Sequence, residues 1–391
     1  MKKAPTLRFK GFTNDWEQRK FENLVSRLSK TSNNESLPNV TYDDIKSKEN
    51  SLNKDITELT HGKKGIHFNK DDILFGKLRP YLGNILLARF NGIAVGDFWV
   101  LSPKDNNISS FLFDLIQTSK YKYISNLSSG SKMPRSDWNL VSKASFWVPI
   151  QQEQNKIGKI FQLIDNLVSL QQRKLELLKA SKKAVLQNIF TDTKRVPTIR
   201  FNTFSENWNQ KRLKPFLIKY NKKTTVNNQY PVLTSSRQGL FFQKDYYDGN
   251  QIASKNNIGY NIVPRNYFTY RHMSDDLIFH FNINTICDYG IVSTLYPVFT
   301  TTSEIDSQWL LYYLNHSVDI KKYALLQKQG GSRTYMYFSK LESLKAHIPA
   351  LAEQKKISSL IFKIDEQIYF QQKKLKYLQK SKRFLLQNMF I

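Results

Sequence analysis

The chain states one pattern twice, and this duplication limits its possible folds more than any other feature. The segment from Pro149 (Pro-Ile-Gln-Gln-Glu-Gln) to Leu186-Gln187-Asn188-Ile189-Phe190 recurs from Pro349 (Pro-Ala-Leu-Ala-Glu-Gln) to Leu386-Gln387-Asn388-Met389-Phe390, 200 residues later and without a gap. A second repeat pairs Ala4-Pro5-Thr6-Leu7-Arg8-Phe9 with Val196-Pro197-Thr198-Ile199-Arg200-Phe201, and Trp16 with Trp208, at an offset of 192. The offsets of 200 and 192 differ by 8 residues, so the interior of the unit has changed length while its frame has not. Two copies of one unit follow, each a globular region and then a long helix.

The 391 residues allow roughly two to three domains. With 40% hydrophobic and 13% aromatic residues, the chain can build real cores and is not of the disordered class. A single cysteine, Cys287, excludes an intramolecular disulfide, fits a reducing compartment and reads as a small buried residue. The opening Met1-Lys2-Lys3-Ala4-Pro5 has no signal-peptide stretch, and no apolar run approaches the roughly 20 residues of a membrane span. The expected location is the cytoplasm, with no membrane partner. Lys and Arg number 59 against 32 Asp and Glu, a net charge of +27. That excess points to a polyanionic partner, with nucleic acid first.

In the first long segment the seam positions step by 3 and 4: Phe161, Ile164, Val168, Gln171, Leu175, Leu178, Lys182, Val185, Ile189. The second copy keeps the register: Ile361, Ile364, Ile368, Gln371, Leu375, Leu378, Lys382, Leu385, Met389. About four heptads of this kind predict helices that pack on one another. Each helix of roughly 34 residues is about 50 Å long. The first ends only a few residues before the second copy begins. The second globular region therefore starts near the end of one helix and finishes near the start of the other. An antiparallel pair meets that demand compactly; a parallel pair would stretch the region over the whole length. The same geometry predicts that Gln171 and Gln371, both near mid-helix, meet and fix the register. The expected molecule is two basic globular regions on a helical rod, related by an approximate two-fold axis.

The globular regions show mixed strand and helix patterns in the same order. Asp72–Tyr81, Gly92–Val95 and Phe98–Leu101 read as strands in the first, the earliest leading into a basic turn; Asn266–Arg271 and Gly290–Ser293 read so in the second. Each continues with an apolar helix (Phe111–Ile116, Trp309–Leu314) and a glycine-containing polar loop (Ser128–Arg135, Lys328–Tyr335). The order matches while the residues differ, as expected if each region reads a different sequence. Arg and Lys suit guanine acceptors and phosphates. The candidate DNA contacts are therefore Lys77, Arg79, Tyr81, Lys132 and Arg135 in the first region, and Arg237, Arg265, Tyr270, Arg271, Lys328, Arg333 and Tyr335 in the second.

No phosphate loop, dinucleotide fingerprint or Cys-x-x-Cys spacing occurs, nor the Asn/Asp-Pro-Pro-aromatic motif of amino-methyltransferases. The acid pairs Asp43-Asp44, Asp71-Asp72 and Asp275-Asp276 read as turn residues, and the scattered histidines as structural. No catalytic residue, metal ligand or cofactor is expected.

With these residues in view, the chain resembles the specificity subunit of type I restriction–modification systems. The resemblance rests on the paired Trp16–Arg19 and Trp208–Lys211, the Pro-x-x-x-Glu-Gln-x-Lys-Ile helix openings at Pro149 and Pro349, and the Leu-Gln-Asn-x-Phe endings, and it covers essentially the whole chain. It implies a non-catalytic subunit of α/β (α+β) class: target recognition domain 1 at 1–148, spacer helix 1 at 149–190, a linker at 191–196, target recognition domain 2 at 197–348 and spacer helix 2 at 349–391. It implies double-stranded DNA with a bipartite site as ligand. Two methyltransferase subunits and the restriction/translocase subunits are the implied partners, S-adenosylmethionine being bound by the methyltransferase. The rival readings are a non-enzymatic architectural or RNA-binding coiled-coil protein, and a nuclease with an unrecognised site.

Overall fold

The computed structural model describes residues 4–47, 49–127, 133–190, 196–250, 253–328 and 333–391. They form two compact units, Met1–Lys174 with Gln371–Ile391, and Leu175–Phe370. Each long helix contributes one segment to each unit.

Unit 1 is centred on a four-stranded antiparallel sheet whose spatial order is Val25–Leu28, Phe98–Pro103, Ile73–Gly76, Ile85–Leu87. Ile73–Gly76, Ile85–Leu87 and the first four residues of Phe98–Pro103 are apolar runs because both faces of the sheet are covered there, whereas the flanking Val25–Leu28 carries the exposed Arg27. Side chains alternate between two cores. Ile73, Phe75, Ile85, Leu87, Trp99 and Leu101 enter one; Leu74, Leu86, Phe98 and Val100 enter the other. A smaller sheet of Thr31–Ser32, Gly65–Phe68, Gly92–Ala94 and Asn39–Val40 carries that second core. Unit 2 repeats the main sheet in the same order: Leu217–Lys219, Val298–Thr301, Phe268–Tyr270, Phe281–Ile283. Here the second face is partly polar. Buried Asn282 donates to the Ser235 hydroxyl at 2.8 Å, and Ser235 donates to the Thr269 carbonyl at 3.3 Å. The mixed α/β class expected from the repeat is the one observed.

The duplicated motifs are the joints of this frame. Glu17–Lys20 pairs antiparallel with Ser145–Val148, and Asn209–Arg212 with Lys345–Ile348. The register sets Glu17 opposite Val148 and Asn209 opposite Ile348, a shift of 192 on one strand and 200 on the other. Arg8 grips Glu153 with two bonds of 2.7 Å, and Arg200 grips Glu353 with two of 2.8 Å. Both glutamates are essentially dry, at 0% and 1% exposure.

Helix α1 spans Gln151–Ile189 and α2 spans Leu351–Asn388. Gln154 and Gln354 donate back to the carbonyls of Pro149 and Pro349, which closes each helix onto the strand before it. At the other end the helices exchange copies. The Asn388 carbonyl of α2 accepts from Leu7 N, and the Asn188 carbonyl of α1 accepts from Thr198 N and Ile199 N. These bonds satisfy carbonyls that a helix end would otherwise leave without partners.

Within unit 1, Phe161 of α1 lies 6.0 Å from Phe390, just beyond α2, and Asp165 pairs with Lys382 at 2.6 Å. Residue numbers rise on one helix as they fall on the other, so the segments run antiparallel. Unit 2 does the same: Leu186 and Ile189 share a core with Ile357 and Ile361, and Lys182 pairs with Asp365. The two seam lysines are thus answered by aspartates of the opposite helix. Gln171 and Gln371 are both buried, and each leaves its Oε1 without a hydrogen-bond partner. The two amides are therefore not joined through their carbonyl oxygens.

Candidate nucleic-acid interface

In unit 1 the chain leaves the sheet at Gly76 and turns across the segment that returns from the polar loop. Ser136 N donates to the Lys77 carbonyl at 2.8 Å, and Arg79 N to the Pro134 carbonyl at 2.7 Å. Leu78 faces Arg135 in an antiparallel bridge. Arg79 sits in the left-handed region (φ 49) just before the short Pro80–Leu82 helix. This clamp brings together Lys77, Arg79, Tyr81, Met133 and Arg135; Tyr81 is 56% and Met133 46% exposed. Beneath it the Tyr42 hydroxyl donates to the Asp97 carbonyl at 2.6 Å and accepts from Leu78 N at 3.1 Å. Burial pushes that phenol up to about 12, despite the bond from Leu78.

Unit 2 builds the same clamp. Met336 N donates to the His272 carbonyl at 2.7 Å, and Met273–Ser274 pairs with Thr334–Tyr335. Lys77 N donates to the Asp97 carbonyl, and His272 N likewise donates to the Leu295 carbonyl. By these bonds Lys77 matches His272, Arg79 matches Ser274, and Arg135 matches Tyr335. The backbone is shared and the displayed chemistry is not. One clamp shows Lys77, Arg79 and Arg135; the other shows Arg333 beside Tyr335 and Tyr337, whose rings lie parallel at 5.6 Å, with the His272 ring 5.0 Å from Tyr337. Burial, and then the charge of Arg271, hold the His272 imidazole below its ordinary value, against a backbone bond at Leu295 that raises it.

The cations do not stand bare. Asp97 takes Lys77 at 3.5 Å and Arg135 at 2.9 Å. Arg237 pairs with Asp276 at 2.5 Å and Arg333 with Asp275 at 3.0 Å. The hydrogen bond to Arg237 holds Asp276 down to about 2, helped by Ser274. Asp275 and Asp276, read from sequence as turn residues, are therefore arginine partners.

The remaining candidates fall elsewhere. Arg271 is exposed beside the clamp. Arg265 is held by Asp288 and the Thr285 carbonyl at the end of the Asn261–Pro264 strand, outside the clamp's hydrogen bonds. Lys328 is exposed just after the Val318–Leu326 helix. Lys132 lies outside the described residues. Tyr270 is a correction: it is fully buried and its hydroxyl donates to the Met336 carbonyl at 2.8 Å. It is buried because both faces of the sheet are covered at this strand, where Phe268 and Thr269 are fully buried too. Sequence reasoning missed Tyr42 and Asp97, whose roles arise from contacts with residues tens of positions away. Among the described residues no group of His, Cys, Asp and Glu could hold a metal ion, and no helix is long and apolar enough to cross a membrane.

Residues 14–180 match the model of the type I restriction modification DNA specificity domain. The type I restriction enzyme MjaVIII specificity subunit of Methanocaldococcus jannaschii is 22% identical over 354 residues, covering 83% of this chain and 79% of that one. The putative MjaX specificity subunit of the same organism is 24% identical over 357 residues, covering 82% and 75%. Among solved structures, the S subunit of a type I restriction–modification system from M. genitalium aligns over 99% of both chains, with 14% identity and a TM-score of 0.60.

Proposed function

We propose that this chain is a specificity subunit of a type I restriction–modification system, a recognition subunit rather than a catalyst, and that it reads a bipartite duplex DNA site with one clamp per half-site. The observation that carries this reading is the repeated clamp: matching backbone bonds presenting Lys77, Arg79 and Arg135 in unit 1 but His272, Tyr335 and Arg333 in unit 2. A shared scaffold with different donors is suited to two unlike half-sites, because base edges are told apart by donor and acceptor pattern. The net charge of +27 supplies the phosphate attraction that precedes reading.

On this reading the long helices set the gap between half-sites and dock the partners. Their outward faces carry apolar side chains that a solvated helix would not need: Leu163, Leu167, Leu170, Tyr377 and Phe384 in unit 1, and Leu177, Phe362, Tyr369 and Phe370 in unit 2. The occupants are two methyltransferase subunits, which bring S-adenosylmethionine, with restriction/translocase subunits joining the complex in the cytoplasm. The test is single-molecule methylation mapping of a host carrying this chain with its methyltransferase. One motif of two unlike half-sites with a fixed unread gap is expected; a single uninterrupted motif would overturn the reading.

A further inference from the structure

Asp97 stands between the two cations of the unit 1 clamp, one carboxylate oxygen for each. Oδ1 faces Lys77 Nζ at 3.5 Å, and Oδ2 accepts from Arg135 Nε and Nη2 at 3.2 and 2.9 Å. Its own backbone is fixed from below, since its carbonyl takes both the Tyr42 hydroxyl and Lys77 N. The Tyr42 ring in turn packs edge-on against Phe98 at 4.6 Å. The Asp97 backbone is therefore held at the bend just before the Phe98–Pro103 strand, while Arg135 is more than half exposed.

Holding a guanidinium by its Nε–Nη2 edge leaves the Nη1–Nη2 edge facing outward. That edge is a planar two-donor fork of the kind that meets the O6 and N7 acceptors of guanine. Unheld, Lys77 and Arg135 would swing to the nearest phosphates, where contacts add affinity but carry no sequence information.

Unit 2 supplies a second, independent observation. The residue that matches Asp97 by backbone bonding is Leu295, which has no charge to offer. Yet the unit 2 arginines are also held, by Asp275 and Asp276 from a different turn. Neither arginine stands where Arg135 does, since Tyr335 holds that place, so unit 2 reaches an aspartate-held arginine from different positions of the chain.

We propose that Asp97 is a specificity-determining positioning residue: it aims Arg135, with Lys77, at base edges and keeps both from being spent on phosphates. This rests on the DNA reading proposed above. The experiment uses the full chain with its methyltransferase subunits. It measures Kd across a salt series for a duplex bearing the mapped site and for one with the unit 1 half-site scrambled. Asp97→Asn keeps the backbone carbonyl that Tyr42 and Lys77 use. It should tighten binding to the scrambled duplex, steepen the salt slope by about one and cut discrimination roughly tenfold. Arg135→Lys, a surface change that keeps the charge, should cut discrimination at the same half-site with the slope unchanged. Unaltered discrimination in Asp97→Asn, or equal weakening on both duplexes at an unchanged slope, would overturn the proposal. If the wild-type complex itself showed no preference for any duplex, the DNA reading would fall first and this inference with it.

Discussion

Glu153 and Glu353 hold equivalent posts in the two copies, each buried and each gripped by both prongs of one arginine. A buried pair of this kind is costly to break from one side, because the partner charge is left without compensation. Glu153→Gln keeps the shape but strands Arg8, so unit 1 should lose roughly 3 kcal/mol. Glu353→Gln should do the same to unit 2. Urea denaturation followed by hydrogen exchange in each unit separates the two, and a loss confined to the wrong unit would refute the assignment. His316 gives a pH signature. Burial first, and then Lys182, His280 and Lys321, hold its imidazole down to about 4, with Asp365 pulling the other way. The unfolded chain therefore binds the proton more readily between about 6.5 and 4. Stability should be fully present above that window and fall as pH drops through it. Thermal melts of wild type and His316→Gln across the range check this, since the variant should lose some of the slope.

The paired helices owe their direction to the connectivity of the chain and their contact to the apolar seam, and the crossed pairs Lys182–Asp365 and Lys382–Asp165 help to set their register. Lys382 also donates to Gln117 at 3.0 Å, which ties α2 to the globular region of unit 1. Asp165→Ala leaves a mostly covered lysine unpaired and should cost about 1–2 kcal/mol. The double variant Asp165→Ala with Lys382→Met should recover only part of that loss, since it leaves neither charge of the pair alone but also removes the Lys382 bond to Gln117. A double-mutant cycle by chemical denaturation tests it; a double variant weaker than the single one would mean the pair itself stabilises the seam. The heptads, the approximate helix limits and the central strands such as Ile73–Gly76 and Phe98–Pro103 were legible in the sequence, because 3.6- and 2-residue periods are local. The crossed lysine–aspartate pairs were not. The lysines showed as polar interruptions, but their partners lie on another helix, 183 residues away for Lys182 and 217 for Lys382.

For the chain as a whole, the proposed function makes the helices a ruler. Adding one heptad to both α1 and α2 lengthens the pair by about 10 Å. The unread gap should then widen by about 3 base pairs. Methylation mapping of such a variant reads the gap directly, and an unchanged gap would contradict the ruler. Binding to duplex DNA should also weaken steeply with salt, because many cations displace counterions.

By itself the sequence determined that there are two copies of one frame, that each ends in a long amphipathic helix, and that the charge favours a polyanionic partner. Repeats, periodicity and charge are properties of the chain that do not depend on how distant segments meet. The tertiary structure alone decided which copy's entering segment caps which helix, that Tyr270 faces a core and not a surface, and that Asp97 stands between Lys77 and Arg135. Those depend on contacts between segments far apart in the chain, made only when the sheet has brought residues 42, 77, 97 and 135 to one edge.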